Sequence, residues 1–280
     1  MKTEMNLFAR ATLVAAGLAS VFMPSCSNSS FNSDAGGPPA ATGKGDKSPA
    51  ENGNNNPPGF ATAGKTLDLY LIMDKSGSLY IDPSTQQPNS GSDVACKRFD
   101  AMLDLVDSLR TKLNSNEEVR MTVVTFSSGA RNLGTMNSVL SQTRKDVSSK
   151  FRAGVCDNPD YDTTNYERGI SVALQGHEEN LREKKLDMES VVFFSDGAAK
   201  DKDTRILEES MRRLNSTFAS RVYGVLLGRT NDRCVLKDST GRNLQTQECM
   251  LKVVGNDAAK LLNVDDASGL SAAWADLVNK

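Results

Sequence analysis

Histidine is almost missing from this chain: His177 is the only one in 280 residues. It stands in a polar stretch with helical spacing, which predicts an exposed side chain rather than a general base, so histidine-assisted serine hydrolysis has no candidate base. Excess positive charge is missing too. The 33 Lys and Arg against 35 Asp and Glu leave a net charge of −2, with no overall attraction for a phosphate backbone, and nucleic acid is not an expected partner. No two of the five cysteines have the C-x-x-C spacing of a zinc or redox site. No internal repeat is visible. What remains, 38% hydrophobic and 24% charged residues, is the balance of a soluble globular protein with room for one large domain or two small ones.

Long apolar runs are also lacking. The longest, Ala11 to Phe22, follows Lys2 and Arg10; as a helix it would span about 18 Å, against roughly 30 Å of bilayer hydrocarbon, so residues 1–26 read as a secretion signal rather than a transmembrane anchor. Ser25 before Cys26 resembles a loose bacterial lipoprotein cleavage box, although Met23 and Pro24 depart from it. Acylation of Cys26 would hold the protein on a membrane through its lipid chains alone. Ser27 after it resembles the pattern of outer-membrane lipoproteins, so the expected location is the cell envelope, surface-exposed or periplasmic. Residues 27–64, built from Ser, Asn, Gly, Pro and Ala, carry Phe31 and Phe60 as their only large apolar side chains and read as a solvated tether. The remaining cysteines, Cys96, Cys156, Cys234 and Cys249, are even in number, which predicts two disulfides in an oxidising compartment, with three pairings possible.

From residue 65 to 280 short apolar runs alternate with helical patterns. Leu67 to Met73, Val119 to Phe126, Ser190 to Phe194 and Val222 to Leu227 are nearly continuous, as strands buried on both faces are. Between them Phe99, Met102, Leu103, Val106 and Leu109 recur at helical spacing, as do Ile170, Ala173 and Leu174, and Ile206, Leu207, Met211 and Leu214. Leu133 to Met136 reads as a short extra strand, and Leu270 to Val278 with Trp274 as a closing helix. This order predicts one doubly wound α/β domain.

The first strand runs into Asp74-Lys75-Ser76-Gly77-Ser78, which sets one carboxylate and two hydroxyls at alternate positions of a loop that Gly77 lets curl. Such hard oxygen donors suit Mg²⁺ or Mn²⁺. A later strand ends in Ser195-Asp196-Gly197, and in doubly wound sheets ligands bind beyond the carboxyl ends of the strands. A magnesium-dependent phosphatase of the haloacid dehalogenase type would need a second aspartate where Ser76 stands. Asp157, Asp160 and Asp162 are not an EF-hand, since Asn165 replaces its glycine and Ser171 its glutamate; they read as a solvated acidic loop.

Asp-x-Ser-x-Ser at 74–78, Thr164 five residues before Gly169, and the strand ending in Asp196-Gly197 together resemble the von Willebrand factor type A domain over nearly all of residues 65–280. The resemblance implies a Rossmann-like, mostly parallel sheet flanked by helices, with the first and fourth strands adjacent. It further implies a metal-ion-dependent adhesion site in which Asp74, Ser76, Ser78, Thr164 and Asp196 hold Mg²⁺ or Mn²⁺, and an exchangeable position that a partner's glutamate or aspartate fills. The expected activity is binding, not catalysis, with a protein or other carboxylate-bearing ligand. The alternative is an envelope scaffold or regulatory subunit that binds without metal. Lys75 in place of an apolar residue, Leu79 in place of methionine, and Asp162 and Thr163 in place of glycines are departures that remove no ligand. On such a fold the loops of Cys96 and Cys156 should meet at the metal face, which pairs these two. Cys234 and Cys249 then enclose a small hairpin at Val235 to Glu248.

Overall fold

The computed structural model describes Ala61 and residues 64–279, apart from short breaks at 83–84, 88, 114–116, 158–162, 220 and 229–231. The signal-like segment, Cys26, and the tether other than Ala61 and Gly64 lie outside the described residues, as do Asp160 and Asp162. Ala61 is buried against the domain core. Among the described residues no helix is long and apolar enough to cross a membrane.

The central sheet has six strands: β1 (Leu67–Asp74), β2 (Val119–Phe126), β3 (Ala130–Met136), β4 (Met188–Ser195), β5 (Val222–Leu227) and β8 (Leu261–Val264), in the order β3-β2-β1-β4-β5-β8. All neighbours are parallel except β3, which runs antiparallel to β2 at the edge. The first and fourth strands are adjacent, with Met73 beside Phe194. β1 is buried along its whole length, and its side chains alternate between two cores. Leu67, Leu69, Leu71 and Met73 face α1 (Lys97–Lys112), α2 (Arg144–Cys156) and α6 (Leu270–Asn279); Tyr70 and Ile72 face α3 (Tyr166–Glu183), α4 (Thr204–Thr217) and α5 (Thr246–Val253). A continuous apolar run is what a strand covered on both faces requires. A separate hairpin, β6 (Arg233–Lys237) and β7 (Asn243–Gln245), follows β5.

Local chemistry sets where the helices begin. Asn165 caps α3 by accepting from the Arg168 N–H, Asp203 caps α4, and Thr143 with Asp146 forms a capping box on α2. Gly169 lets α3 lie close on the sheet, since a Cβ there would stand 2.9 Å from the Phe126 ring.

Two expectations are corrected. His177 is not exposed: its ring packs against Tyr70 and Phe218, and its Nε2 lies 3.0 Å from a Glu189 carboxylate oxygen on β4. The polar residues around it mark the outer face of α3, while the histidine itself faces the sheet. Ile206 is not part of the core face of α4; it is 52% exposed, two residues after the helix start at Thr204.

Both disulfides are present in the expected pairing, Cys96–Cys156 and Cys234–Cys249. The first joins the residue before α1 to the last residue of α2. The second joins the β6–β7 hairpin to α5.

Candidate metal centre

The strand order turns at β1, with β2 on one side and β4 on the other, and at that turn β1 and β4 end side by side. Asp74 is the last residue of β1 and Asp196 follows β4; both are fully buried. The loop after β1 closes through one 3₁₀ turn, Gly77–Leu79, without a positive φ at Gly77, so that the Ser76 backbone N–H donates to Asp74 Oδ1 at 2.7 Å and the Ser76 and Ser78 hydroxyl oxygens come to 3.1 Å. Ser78 then donates to Asp196 Oδ1 at 2.7 Å, linking the two strand ends. Thr164 is buried whereas Thr163 is exposed. A Cβ built on Gly197 would stand 3.7 Å from both Ser78 Oγ and Thr164 Oγ1, so these hydroxyls lie on one side of that glycine. The five residues singled out in the sequence therefore come together. The loop carrying Thr164 is clamped on both sides: its carbonyl accepts from the Lys200 N–H at 2.8 Å, and the Asn165 N–H donates to the Ser127 carbonyl at 2.8 Å.

Two further hydroxyls belong to the cluster and were not foreseen. Ser195 Oγ donates to Asp74 Oδ2 at 2.5 Å, and Ser92 Oγ donates to Asp196 Oδ2. Ser195 was visible as the residue before Asp196, with nothing to distinguish it from an ordinary strand residue. Ser92 carried no signal at all. It reaches the site because Gly91 and Ser92 return to the start of the loop, with the Gly91 N–H on the Tyr80 carbonyl at 3.1 Å and the Ser92 N–H on the Ser78 carbonyl at 3.1 Å. Only glycine fits at 91, where a Cβ would fall 2.3 Å from the Tyr80 nitrogen.

Burial, and then the charge of Asp196, push the Asp74 carboxyl up to about 7; the hydrogen bonds from Ser195 and Ser76 only partly oppose this. Tyr166, buried beneath the site with its hydroxyl donating to the Gly197 carbonyl at 2.6 Å, is raised well above the usual phenol range by burial. Asp201 accepts from the Tyr166 and Glu167 N–H groups at 3.1 and 2.7 Å, which holds the start of α3 against the segment after β4. Among the described residues no group of three or more His, Cys, Asp or Glu converges as a metal cage. The donor set is two carboxylates and several hydroxyls, all hard oxygen, which fits Mg²⁺ or Mn²⁺ rather than a soft metal.

The loop side of the centre is braced from α2. The last carbonyls of that helix are met by side chains from the segment after β1 and from the first turn of α1: Lys75 Nζ on Gly154 at 3.0 Å, the Tyr80 hydroxyl on Cys156 at 2.9 Å and Arg98 on Val155 at 2.9 Å. Cations at a helix C-terminus oppose its dipole. Arg98 is itself fully buried and paired with buried Asp93 at 2.6 Å.

The family model of the von Willebrand factor type A domain matches residues 68–258, more than half of the chain. The protein belongs to this family. Among solved structures the type A fold is similar to that of proximal thread matrix protein 1 from the mussel byssus (TM-score 0.50, 13% identity, 76% of this chain and 46% of that one). It is also similar to a von Willebrand factor type A protein from Catenulispora acidiphila (0.50, 12%, 77% and 42%) and to the pilus adhesin SpaC from Lactobacillus rhamnosus GG (0.51, 12%, 77% and 30%). The chain thus spans less than half the length of each of these type A proteins. No curated protein sequence matches it.

Proposed function

We propose that this type A domain is a divalent-cation-dependent binding module that captures an acidic residue of a protein partner. The observation that carries the reading is the pair of buried carboxylates, Asp74 and Asp196, bridged through Ser78 with Ser76 beside it. The Asp74 carboxyl resists ionisation without a nearby cation, and an ion of the right hardness offsets that resistance. Asp74, Ser76, Ser78, Thr164 and Asp196 would hold Mg²⁺ or Mn²⁺, directly or through water. Mg²⁺ favours six ligands and keeps several waters, so a coordination position stays open to an outside carboxylate. With only two carboxylates near it the bound ion stays electrophilic. Ser76 stands where a phosphatase would need an acid, which favours binding over catalysis.

In the full protein the domain would be presented in the cell envelope, on a tether fixed through acylated Cys26. Replacing Cys26 with alanine is expected to abolish palmitate incorporation; undiminished labelling would exclude the anchor.

Titration calorimetry with Mn²⁺ tests the metal directly. Asp74→Ala is expected to weaken ion binding more than either Ser76→Ala or Ser78→Ala, with the fold retained. Equal uptake by wild type and Asp74→Ala would replace this reading with that of a metal-independent scaffold.

A further inference from the structure

We propose that the groove beside the metal centre, between β3 and the C-terminal end of α2, is the seat for an acidic peptide segment that continues from the carboxylate captured at the metal. The inference rests on the binding reading above and names the kind of partner that reading leaves open.

The groove encloses about 570 Å³, within the roughly 300–1,000 Å³ of small-ligand sites and enough for a few side chains. It begins where the metal centre ends. Lys75, the residue directly after Asp74, forms one wall, and the turn between β2 and β3 at Ser127 and Gly129 forms the rim. That same turn holds the Thr164 loop through the Ser127 carbonyl. A chain whose acidic residue sits on the ion can therefore pass over this rim into the groove without leaving the surface.

Its charge is one-sided. Three cations, Lys75, Arg131 and Lys150, line it against one carboxylate, Asp157, in a protein whose net charge is −2. Two of the three cations are held in place. Lys75 Nζ is fixed on the Gly154 carbonyl at 3.0 Å and Lys150 Nζ on the Thr135 carbonyl at 2.6 Å, while Arg131 is exposed on the edge strand. The helix that carries Lys150 and receives Lys75 is anchored in turn, because Cys96–Cys156 ties the end of α2 to the residue before α1. Positioned cations in a concave site focus the field on an anionic ligand and steer its approach.

The probes are fluorescein-labelled oligoglutamate peptides of increasing length, titrated by fluorescence polarisation in Mg²⁺ against the full protein and Arg131→Glu/Lys150→Glu. Both residues are exposed, so the fold tolerates the change, and Mn²⁺ calorimetry on the variant checks that the ion is still bound. Wild type is expected to bind the longer peptides more tightly. The variant is expected to lose about tenfold on the long peptides, a loss of about 1.4 kcal/mol, and little on the shortest. The wild-type advantage should shrink as salt is raised. Equal affinity of wild type and variant for the long peptide overturns the proposal, as does tighter binding of a single-stranded oligonucleotide than of the peptide. Peptide binding is expected to fall in EDTA for wild type and variant alike; charge-dependent binding that survives chelation overturns the ion, and with it the continuity of ion and groove, while equal affinity of wild type and variant overturns the groove alone.

Discussion

At Asp74 the fold places a carboxyl group where its charge is disfavoured twice, by loss of water and by Asp196. An unfolded aspartate ionises near 3.9, and in the folded domain this one is held up to about 7. Between those values the folded state binds more protons than the unfolded state. The metal-free protein is therefore expected to lose stability as pH rises from about 4 to about 7, an effect on the order of a few kcal/mol. Asp74→Asn removes the charge while keeping an acceptor for the Ser76 N–H. In EDTA above about pH 7 it is expected to melt at a higher temperature than wild type, yet to show no rise on adding Mg²⁺. A lower melting point in EDTA would show that the charge is satisfied by the protein itself. Ser92 is the complementary case, since its hydroxyl reaches Asp196 and orients it. Groups that orient a metal ligand are commonly worth about ten- to a hundredfold in affinity, so Ser92→Ala should weaken Mn²⁺ binding by roughly tenfold with little change in melting temperature. The five residues of the cluster were legible through the family resemblance, whose motif positions lie at two strand ends and just before a helix. Ser92 was not, because it arrives through a fold-back of the chain that Gly91 permits, and no periodicity records such a contact.

Among the elements, strands β1 to β5 and the helices α1, α3, α4 and α6 were legible as apolar patterns, and α2 and α5 were not; Thr246 to Glu248, read as part of the hairpin, begin α5. Only Val147, Phe151 and Val155 of α2 are buried, one residue per turn in an otherwise polar segment, too narrow a stripe to stand out. β8 escaped for a similar reason, with four residues of which only the ends are buried. Yet α2 matters to the site, since its last turn receives Lys75, Arg98 and Tyr80. Removing one partner of a buried ion pair typically costs about 3–5 kcal/mol, whereas an exposed pair contributes about 0–1 kcal/mol. Arg98→Met leaves Asp93 charged and buried and should lower stability in urea denaturation by the larger amount. Arg212→Met, which breaks the exposed Arg212–Glu209 pair on α4, should leave it nearly unchanged. Similar losses for the two would mean that Arg98 does not hold the loop.

For the molecule as a whole, binding of an ion to the folded state alone raises the melting temperature, by the equivalent of about 2.7 kcal/mol at a hundredfold excess over Kd. Scanning calorimetry should show this rise with Mn²⁺ for wild type and not for Asp74→Ala. The site and the entry of the chain into the domain occupy opposite ends of the same strand, and this has a mechanical consequence. β1 is paired residue by residue with β2 from Leu67 to Asp74, and with β4 from Leu67 to Met73, in parallel register on both sides. In the proposed bound state a pull on a partner held at Asp74 and resisted at Leu67 runs along the covalent backbone of β1, and only the share borne by Asp196 crosses to it through the β1–β4 ladder, in shear. Such a ladder loads its hydrogen bonds together, whereas a force peeling the edge strand β3 would open its bonds one after another.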